Sequence, residues 1–302
     1  MHVLVTGGTG LIGQRLVGYL RSLGMLPRLV SRTEQLSAES PQYKWSLQNG
    51  YIDPRALDGV EVVIHLAGAN IAEGRWTDAR KKEIVDSRIL STRLLYDAIE
   101  KMEKKPKALL CASATGYYGF RDFEYVSDEE DRSGTDFLAQ VCVQWETEAD
   151  RFSALGMRVV RLRTGLVLDG AGGAFPKMLL PVRYYAGAAL GSGQQYINWI
   201  HWQDWCGAVG HLIEQQELSG AFNLVAPFPV TNDELTRLIA RAIERPLWLP
   251  NVPAFIFRGL LGEMSAVLLQ GHKVSCTKLQ NSGYQFKHQL VKESLSELLS
   301  QD

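Results

Sequence analysis

The chain has 302 residues, of which 46% are hydrophobic and 22% charged, and its formal net charge is −1. That length suits one large domain or two unequal ones, and no excess of Lys or Arg offers a footprint for a nucleic-acid backbone. No apolar run reaches the ~18 residues of a membrane span, and Cys111, Cys142, Cys206 and Cys276 form neither a C-x-x-C pair nor a ligand cluster, so no metal is expected and the thiols read as reduced, in a cytoplasmic protein.

The opening MHVLVTGG enters a strand directly and is expected to carry no signal peptide. HVLVT (2–6) is a short apolar run ending at glycines. LIGQRLVGYLRSLG then carries Leu11, Leu16, Leu20 and Leu23 at helical spacing and stops at Gly24. LPRLV (26–30) reads as a second strand. VEVVIHLAG (60–68) and KALLCASA (107–114) are continuous apolar runs of the kind found in strands buried on both faces. Amphipathic helices are expected over 77–102 and 136–156, and MRVVRLRTGLVL (157–168) as a strand after them. Glycine-rich loops follow, then a helix over 203–216 and a last strand, AFNLV (221–225). From Thr231 the pattern is mainly helical. The alternation predicts an α/β fold, a doubly wound parallel sheet with helices on both faces. Residues 1–228 would form the dinucleotide-binding unit, and 229–302 a smaller, mainly helical region on the substrate side. The apolar helices within 253–270 offer a dimer face, so both monomer and homodimer stay open.

TGGTGLIG follows the first strand and opens the first helix, the context that a G-x-G-x-x-G phosphate turn demands. Gly7, Gly10 and Gly13, with Thr9, Leu11 and Ile12 between them, are the candidates for the cradle. Glycine lets the main chain approach a pyrophosphate, and the free N–H groups of a helix start favour its charge. At the end of the second strand a carboxylate would favour NAD. Ser31 and Arg32 stand there instead. The guanidinium fork suits a 2′-phosphate, which favours NADP(H); Glu34 nearby keeps NAD(H) possible.

TGGTGLIG, HLAG (65–68) and ASATGYYG (112–119) together resemble the extended short-chain dehydrogenase/reductases, the group of sugar-nucleotide epimerases and dehydratases. RWTDARKKEIVDSRILSTRLL, WETEA, RLRTGLVL, GGAFPKM, GSGQQYINWIHWQD, FNLVAPFPVTNDEL and RGLLGEMSAVLLQG narrow the match to an atypical subgroup called epimerase family proteins. The resemblance implies that Gly7, Gly10, Leu11 and Ile12 line the pyrophosphate. It also implies that Leu66, Ala67 and Gly68 form the turn along the cofactor's adenosine side. Arg88 takes the place of a customary asparagine.

The family's catalytic positions do not carry over. Counting back four residues from Tyr118 reaches Ala114, where a Ser or Thr is customary; Ser113 and Thr115 flank it. Anchoring on Glu146 puts Leu138 and Cys142 in place of the Tyr and Lys of the Tyr-x-x-x-Lys pair. A leucine exchanges no proton, and a cysteine supplies no fixed cation. The stand-ins for catalysis are Ser113, Thr115 and Tyr118. Asn70, Trp76, Tyr117, Lys177, Gln194 and His201 are the candidates for a substrate pocket. Two functions follow. The first is an NADP(H)-binding oxidoreductase or nucleotide-sugar-epimerase-like enzyme acting on a small molecule, sugar nucleotides among the options. The second is a dinucleotide-binding regulator or scaffold without turnover, because the Tyr/Lys pair is missing.

Overall fold

The computed structural model describes residues 1–300. In chain order the strands and helices are β1 (His2–Thr6), α1 (Leu11–Ser22), β2 (Leu26–Ser31), β3 (Gln42–Ser46), β4 (Tyr51–Ile52), β5 (Val60–His65), α2 (Asp78–Glu100), β6 (Ala108–Ala114), β7 (Val126–Ser127) and α3 (Phe137–Asp150). They continue as β8 (Arg158–Thr164), β9 (Leu166–Asp169), β10 (Gly172–Gly173), α4 (Phe175–Arg183), β11 (Tyr196–Ile197), β12 (Trp199–His201), α5 (Trp202–Glu214) and β13 (Gly220–Leu224). The last are β14 (Val230–Thr231), α6 (Asn232–Ala242), α7 (Ala254–Leu261), α8 (Ala266–Leu269), β15 (Lys273–Val274), α9 (Thr277–Asn281) and α10 (Val291–Ser300).

The main sheet has the order β13-β8-β6-β5-β1-β2-β3-β4 and is parallel except for the β3–β4 edge. Its order reverses around β1, so the carboxyl ends of β1, β2 and β5 open one crevice, where ligands of such sheets bind. The buried strands explain their own sequences. Val3, Leu4, Val5, Val62, Val63 and Ile64 are all sealed from solvent because helices cover both faces. One core packs α1 and α5 against the sheet through Leu16, Leu20, Val209 and Leu212. A second packs α2 and α3 on the other face through Leu95, Ile99, Trp145 and Ala149.

One expectation needs correcting. The strand expected over 157–168 is two strands in two sheets. The chain leaves the main sheet at Gly165, where a Cβ would come 2.1 Å from the Asn198 carbonyl oxygen. Beyond it β9 pairs with β10 and β12 in a separate sheet. The stretch QYKWS is β3, which lies between β2 and the two-residue edge strand β4. The apolar run over 253–271 is broken at Gly262 into α7 and α8. None of the residues of α7 is buried. The C-terminal helices do not build a core of their own. Leu235, Ile239, Leu295 and Leu298 share one with Phe175, Leu179 and Trp199 from earlier in the chain. No helix of the described residues is long and apolar enough to cross a membrane.

Candidate dinucleotide site and adjoining cleft

The turn between β1 and α1 is shaped by close backbone contact. Gly7 has φ +68°, a conformation that L side chains rarely adopt, and a Cβ there would lie 2.9 Å from the Leu66 carbonyl carbon. Gly10 N–H donates to the Gly7 carbonyl at 3.0 Å, which closes the turn. A Cβ on Gly13 would sit 2.2 Å from that same carbonyl oxygen and 2.7 Å from Gly8 Cα. So the start of α1 packs on the Gly7–Gly8 turn with no room for a side chain at position 13. Gly10 caps the helix with no side-chain hydrogen bond, and its first turn holds no acidic residue. The leading N–H groups of α1 are thereby left to an anion. Thr9 and Leu11 are exposed at this mouth and Ile12 is half-buried. Gly172 and Gly173 come close to the Leu11 side chain.

The Leu66–Gly68 turn is fixed from below. Thr6 Oγ1 accepts N–H bonds from Leu66 and Ala67, both at 3.1 Å. The same hydroxyl lies 2.7 Å from His65 Nδ1 and donates to it. His65 Nε2 faces the hydroxyls of Thr92 (3.0 Å) and Ser91 (3.2 Å), whose own protons go to main-chain carbonyls of α2. Burial, with the nearby Arg88 charge, pushes the imidazole down to about 3, so it is neutral. It bolts β5 to α2 beneath the cradle.

At the end of β2, Arg32 is exposed and has no hydrogen bond or ion pair among the described residues. Glu34, the acid that kept NAD open, is held by Arg55 at 2.6 Å. Arg55 also binds the nearly buried Asp53 carboxylate at 2.5 Å. Ser31 is engaged within its own turn. Its hydroxyl is buried, donates to the Thr33 carbonyl and accepts from the Thr33 N–H at 3.2 Å. It shapes the turn that presents Arg32 and has no free proton for a ligand.

Beside α3 lies a cavity of about 420 Å³, lined by Trp76, Phe120, Asp136, Phe137, Leu138 and, from the C-terminal region, Arg258, Gly262, Glu263, Ser265 and Ala266. Trp76 meets Phe137 edge-on at 5.1 Å between ring centroids and anchors its indole N–H on the Ile71 carbonyl at 2.8 Å. Lys81 spans to Glu263 at 2.6 Å and tethers α2 to the C-terminal region. Asp136 caps α3 with Oδ1, accepting from Leu138 and Ala139 N–H, while its Oδ2 is buried without a partner. Arg258 is exposed and unpaired among the described residues. The cleft is therefore apolar and aromatic on one wall, with polar groups at its rim.

The family model for the NAD dependent epimerase/dehydratase family matches residues 3–225. The chain belongs to this family. A domain of unknown function (DUF1731) matches residues 252–298. Epimerase family protein SAR0825 of Staphylococcus aureus is 38% identical over 301 residues, 98% of each chain. The structure is also similar to that of human epimerase family protein SDR39U1 with NADPH, at TM-score 0.90, 32% identity and 99% coverage of both chains. UDP-glucose 4-epimerase of Thermotoga maritima with UDP-glucose shares the fold at TM-score 0.82 and 19% identity, over 100% of this chain and 98% of that one.

Within this epimerase/dehydratase frame the structure shows what became of the catalytic stand-ins. Tyr118 is 1% exposed, and its phenol donates to Asn223 Oδ1 at 2.6 Å while Arg163 Nη1 donates to it at 3.1 Å. Burial raises its pKa despite the Arg163 charge. Ser113 is buried as well and donates to Glu146 Oε1 at 2.7 Å. Glu146 in turn takes two bonds from Arg163, each 2.9 Å, with the two side chains only 4% and 3% exposed. Ser113 and Tyr118 thus both belong to a buried network with Glu146, Arg163 and Asn223. Thr115 and Tyr117 stay half-buried at the end of β6, and Arg163 covers the Tyr117 ring at 3.5 Å. Leu138 packs towards Gly116, whose built Cβ would be 3.5 Å away. Cys142 is buried, and burial first pushes its thiol up to about 11.

The pocket candidates also separate. Trp76 lines the cleft. Asn70 is exposed beside it; its side chain accepts from Ala72 N–H at 3.0 Å and its carbonyl from Arg80. Lys177, on α4, and Gln194 are exposed on other segments and do not line this cavity. His201 is 0% exposed, caps α5 through Nδ1 and stacks on His288 at 3.8 Å between centroids. Asp204 accepts N–H bonds from Lys287 and His288, both at 2.8 Å, and so fastens the C-terminal chain. Phe120, Asp136, Arg258 and Glu263 were missed. Only the helix-start pattern at Asp136 could have flagged one of them, because the others meet from distant segments.

Proposed function

We propose that the protein binds NADP(H) along the β1–α1 turn and acts on a small polar substrate in the adjoining cleft. The observation that carries this reading is the pair Arg32 and Glu34. The arginine is unpaired and faces outward at the strand end, while the acid that would repel a 2′-phosphate is neutralised by Arg55. The human relative carrying NADPH supports the same choice. The residues present fit the group: Gly7, Gly10 and Gly13 leave a cradle that a Cβ would fill, with uncapped N–H groups at its floor.

When bound, the nicotinamide supplies or accepts a hydride. The chain's own part is to hold and to exclude water. The α1 amides neutralise the pyrophosphate, Arg32 holds the 2′-phosphate, and Leu66 to Gly68 support the dinucleotide. Trp76, Phe137 and Leu138 offer an apolar wall to a ring, and Arg258 offers a cation to an acidic group on it. Gly262, Glu263, Ser265 and Ala266 close this side of the cleft. Sugar nucleotides, the class to which the ligand of the Thermotoga maritima neighbour belongs, meet that description. Thr115 and Tyr117 remain the hydroxyls for proton relay, and Asp136 Oδ2 is an unpartnered acceptor in the cleft wall. A second reading, a dinucleotide-binding regulator, is favoured by one observation: Ser113 and Tyr118 are locked away, and Leu138 and Cys142 replace the customary pair.

Titration with NADPH and NADH before and after Arg32→Ala tests the proposal. Losing the phosphate contact is expected to weaken NADPH about tenfold or more and leave NADH unchanged, in line with ~1.5–3 kcal/mol for a charge-assisted hydrogen bond. Equal effects on both cofactors would reject it.

A further inference from the structure

The five most exposed large apolar side chains among the described residues come from two stretches that run side by side. They are Leu180 and Tyr184 on α4, Trp248 in the α6–α7 connection, and Phe255 and Leu260 on α7, each 55 to 75% exposed. On α4, Phe175, Leu179 and Val182 face the core. Lys177, Leu180 and Tyr184, three and four residues apart, share the opposite, exposed face. The chain leaving α4 then passes beside the chain entering α7. Val252 N–H donates to the Ala189 carbonyl and Gly191 N–H to the Val252 carbonyl, both at 2.8 Å. A Cβ on Gly187 would come 2.8 Å from the Leu247 side chain, and the Arg245 guanidinium lies 4.9 Å from the centre of the Tyr185 ring. So Tyr184 and Tyr185 border the turn that carries Trp248, and α7 follows directly. Tyr185 itself adopts φ +60°, where its N–H and that of Ala186 close α4 on the Val182 and Pro181 carbonyls at 3.1 and 2.8 Å. Glycine is the usual residue at such a stop, so this ring is kept outside at a cost in backbone strain.

Charge sorts with the rings. Residues 177–193 and 241–261 hold Lys177, Arg183, Arg241, Arg245 and Arg258 against one acid, Glu244, in a chain whose net charge is −1. Two acids on neighbouring stretches are already held, Asp233 by Arg237 at 2.7 Å and Glu263 by Lys81 at 2.6 Å. Exposed apolar side chains clustered in this way mark a docking surface. A second copy seated on the same patch would set the cations of both against each other across a two-fold axis. An anionic surface meets no such repulsion. Trp and Tyr with polar tips, and Arg with a long apolar stem, suit the depth at which lipid head groups meet acyl chains.

We propose that this face docks on an anionic lipid bilayer. Tyr184, Trp248, Phe255 and Leu260 enter the head-group layer, and Arg241 and Arg245 meet lipid phosphates. The protein lies on the surface and spans nothing, in keeping with the lack of a long apolar helix among the described residues. Arg258 belongs to the same face and lines the cleft, so docking sets the rim of the cleft beside the bilayer. The inference does not depend on the NADP(H) reading.

Flotation of the full-length protein with vesicles tests it, using phosphatidylcholine alone or an equal mixture with phosphatidylglycerol. At low salt the protein is expected to float with the mixed vesicles and not with phosphatidylcholine. Raising the salt to physiological strength is expected to weaken binding about tenfold or more, as the surface cations are screened. Trp248→Ser/Phe255→Ser is expected to weaken it by about tenfold or more, since two rings no longer leave water. Its unfolding midpoint should match the wild type, because neither side chain is buried. Arg241→Glu/Arg245→Glu is expected to weaken binding by about as much. Leu180→Ser/Tyr184→Ser, on the other stretch, decides the matter should the first serine pair fail to fold. No flotation with the mixed vesicles, or equal flotation with both kinds, would overturn the inference. So would binding that survives both serine pairs. A dimer in solution that Trp248→Ser/Phe255→Ser dissolves would assign the face to a second copy instead. Poly-glutamate bound as tightly as the mixed vesicles, and unaffected by the serine pairs, would assign it to an acidic protein. Either result overturns the bilayer assignment.

Discussion

Changing Gly13 to alanine adds one methyl group at the tightest point of the cradle. The new Cβ would lie 2.2 Å from the Gly7 carbonyl oxygen, more than 1 Å short of ordinary contact, and 2.7 Å from Gly8 Cα. Both obstacles are backbone, so no side chain can swing aside. The start of α1 must retreat from the Gly7–Gly8 turn, and overpacking of this kind costs ~1–3 kcal/mol. The gain of ~0.5–1 kcal/mol from alanine's better helix propensity only partly offsets it. The leading amides of α1 move with the helix, and losing two charge-assisted hydrogen bonds at ~1.5–3 kcal/mol each predicts at least a hundredfold weaker NADPH. Gly18 in the same helix is the control: an added Cβ meets nothing within 4 Å. Gly18→Ala is expected to gain ~0.5–1 kcal/mol and leave affinity alone. Urea unfolding and calorimetric titration read both quantities. If Gly13→Ala unfolds like the wild type and binds NADPH within threefold, the cradle reasoning is wrong.

The remaining expectations concern the buried polar groups. Glu146→Gln strands the Arg163 guanidinium, 3% exposed, without its carboxylate. Urea unfolding should show a loss of ~3–5 kcal/mol, and a loss under 1 kcal/mol would mean the pair is better solvated than its geometry suggests. Tyr118→Phe removes the bonds to Asn223 and Arg163. It should lower stability by ~1–3 kcal/mol and leave NADPH affinity and any turnover intact; a selective loss of turnover would restore Tyr118 as a proton donor. His65 and His201 are both held neutral by burial, each pushed down to about 3. Unfolding lets them titrate near 6.5, so the unfolded chain binds more protons between those values and stability falls as pH drops through that window. His201→Asn, which keeps a side-chain cap for α5, should flatten the decline by about one proton, measured as the slope of unfolding free energy against pH. An unchanged slope would show that His201 is already charged in the folded protein.

What the sequence disclosed divides along local and non-local lines. The β–α rhythm was legible because strands buried on both faces must be apolar throughout, as in Val60–His65. The phosphate turn was legible because its glycines, strand and helix are contiguous. β3 was not, because a strand next to the sheet edge, with only Trp45 buried, needs no apolar run. Nor was the break at Gly165, which answers to the Asn198 carbonyl more than thirty residues away. The same limit governed the site. Tyr118 follows a strand end just as a catalytic phenol would, but its partners Arg163 and Asn223 arrive from β8 and β13. The cleft brings Trp76, Asp136 and Arg258 together from three segments, and no spacing in the chain announces it.

The central claim is that the β1–α1 turn and Arg32 together select a 2′-phosphorylated dinucleotide. The most direct measurement is the affinity of the unmodified protein for NADPH and for NADH, by calorimetry at equal ionic strength. The account predicts NADPH binding at least about tenfold tighter, the size of one charge-assisted phosphate contact. Equal or tighter binding of NADH would contradict the role given to Arg32. No affinity for either would contradict the cradle itself.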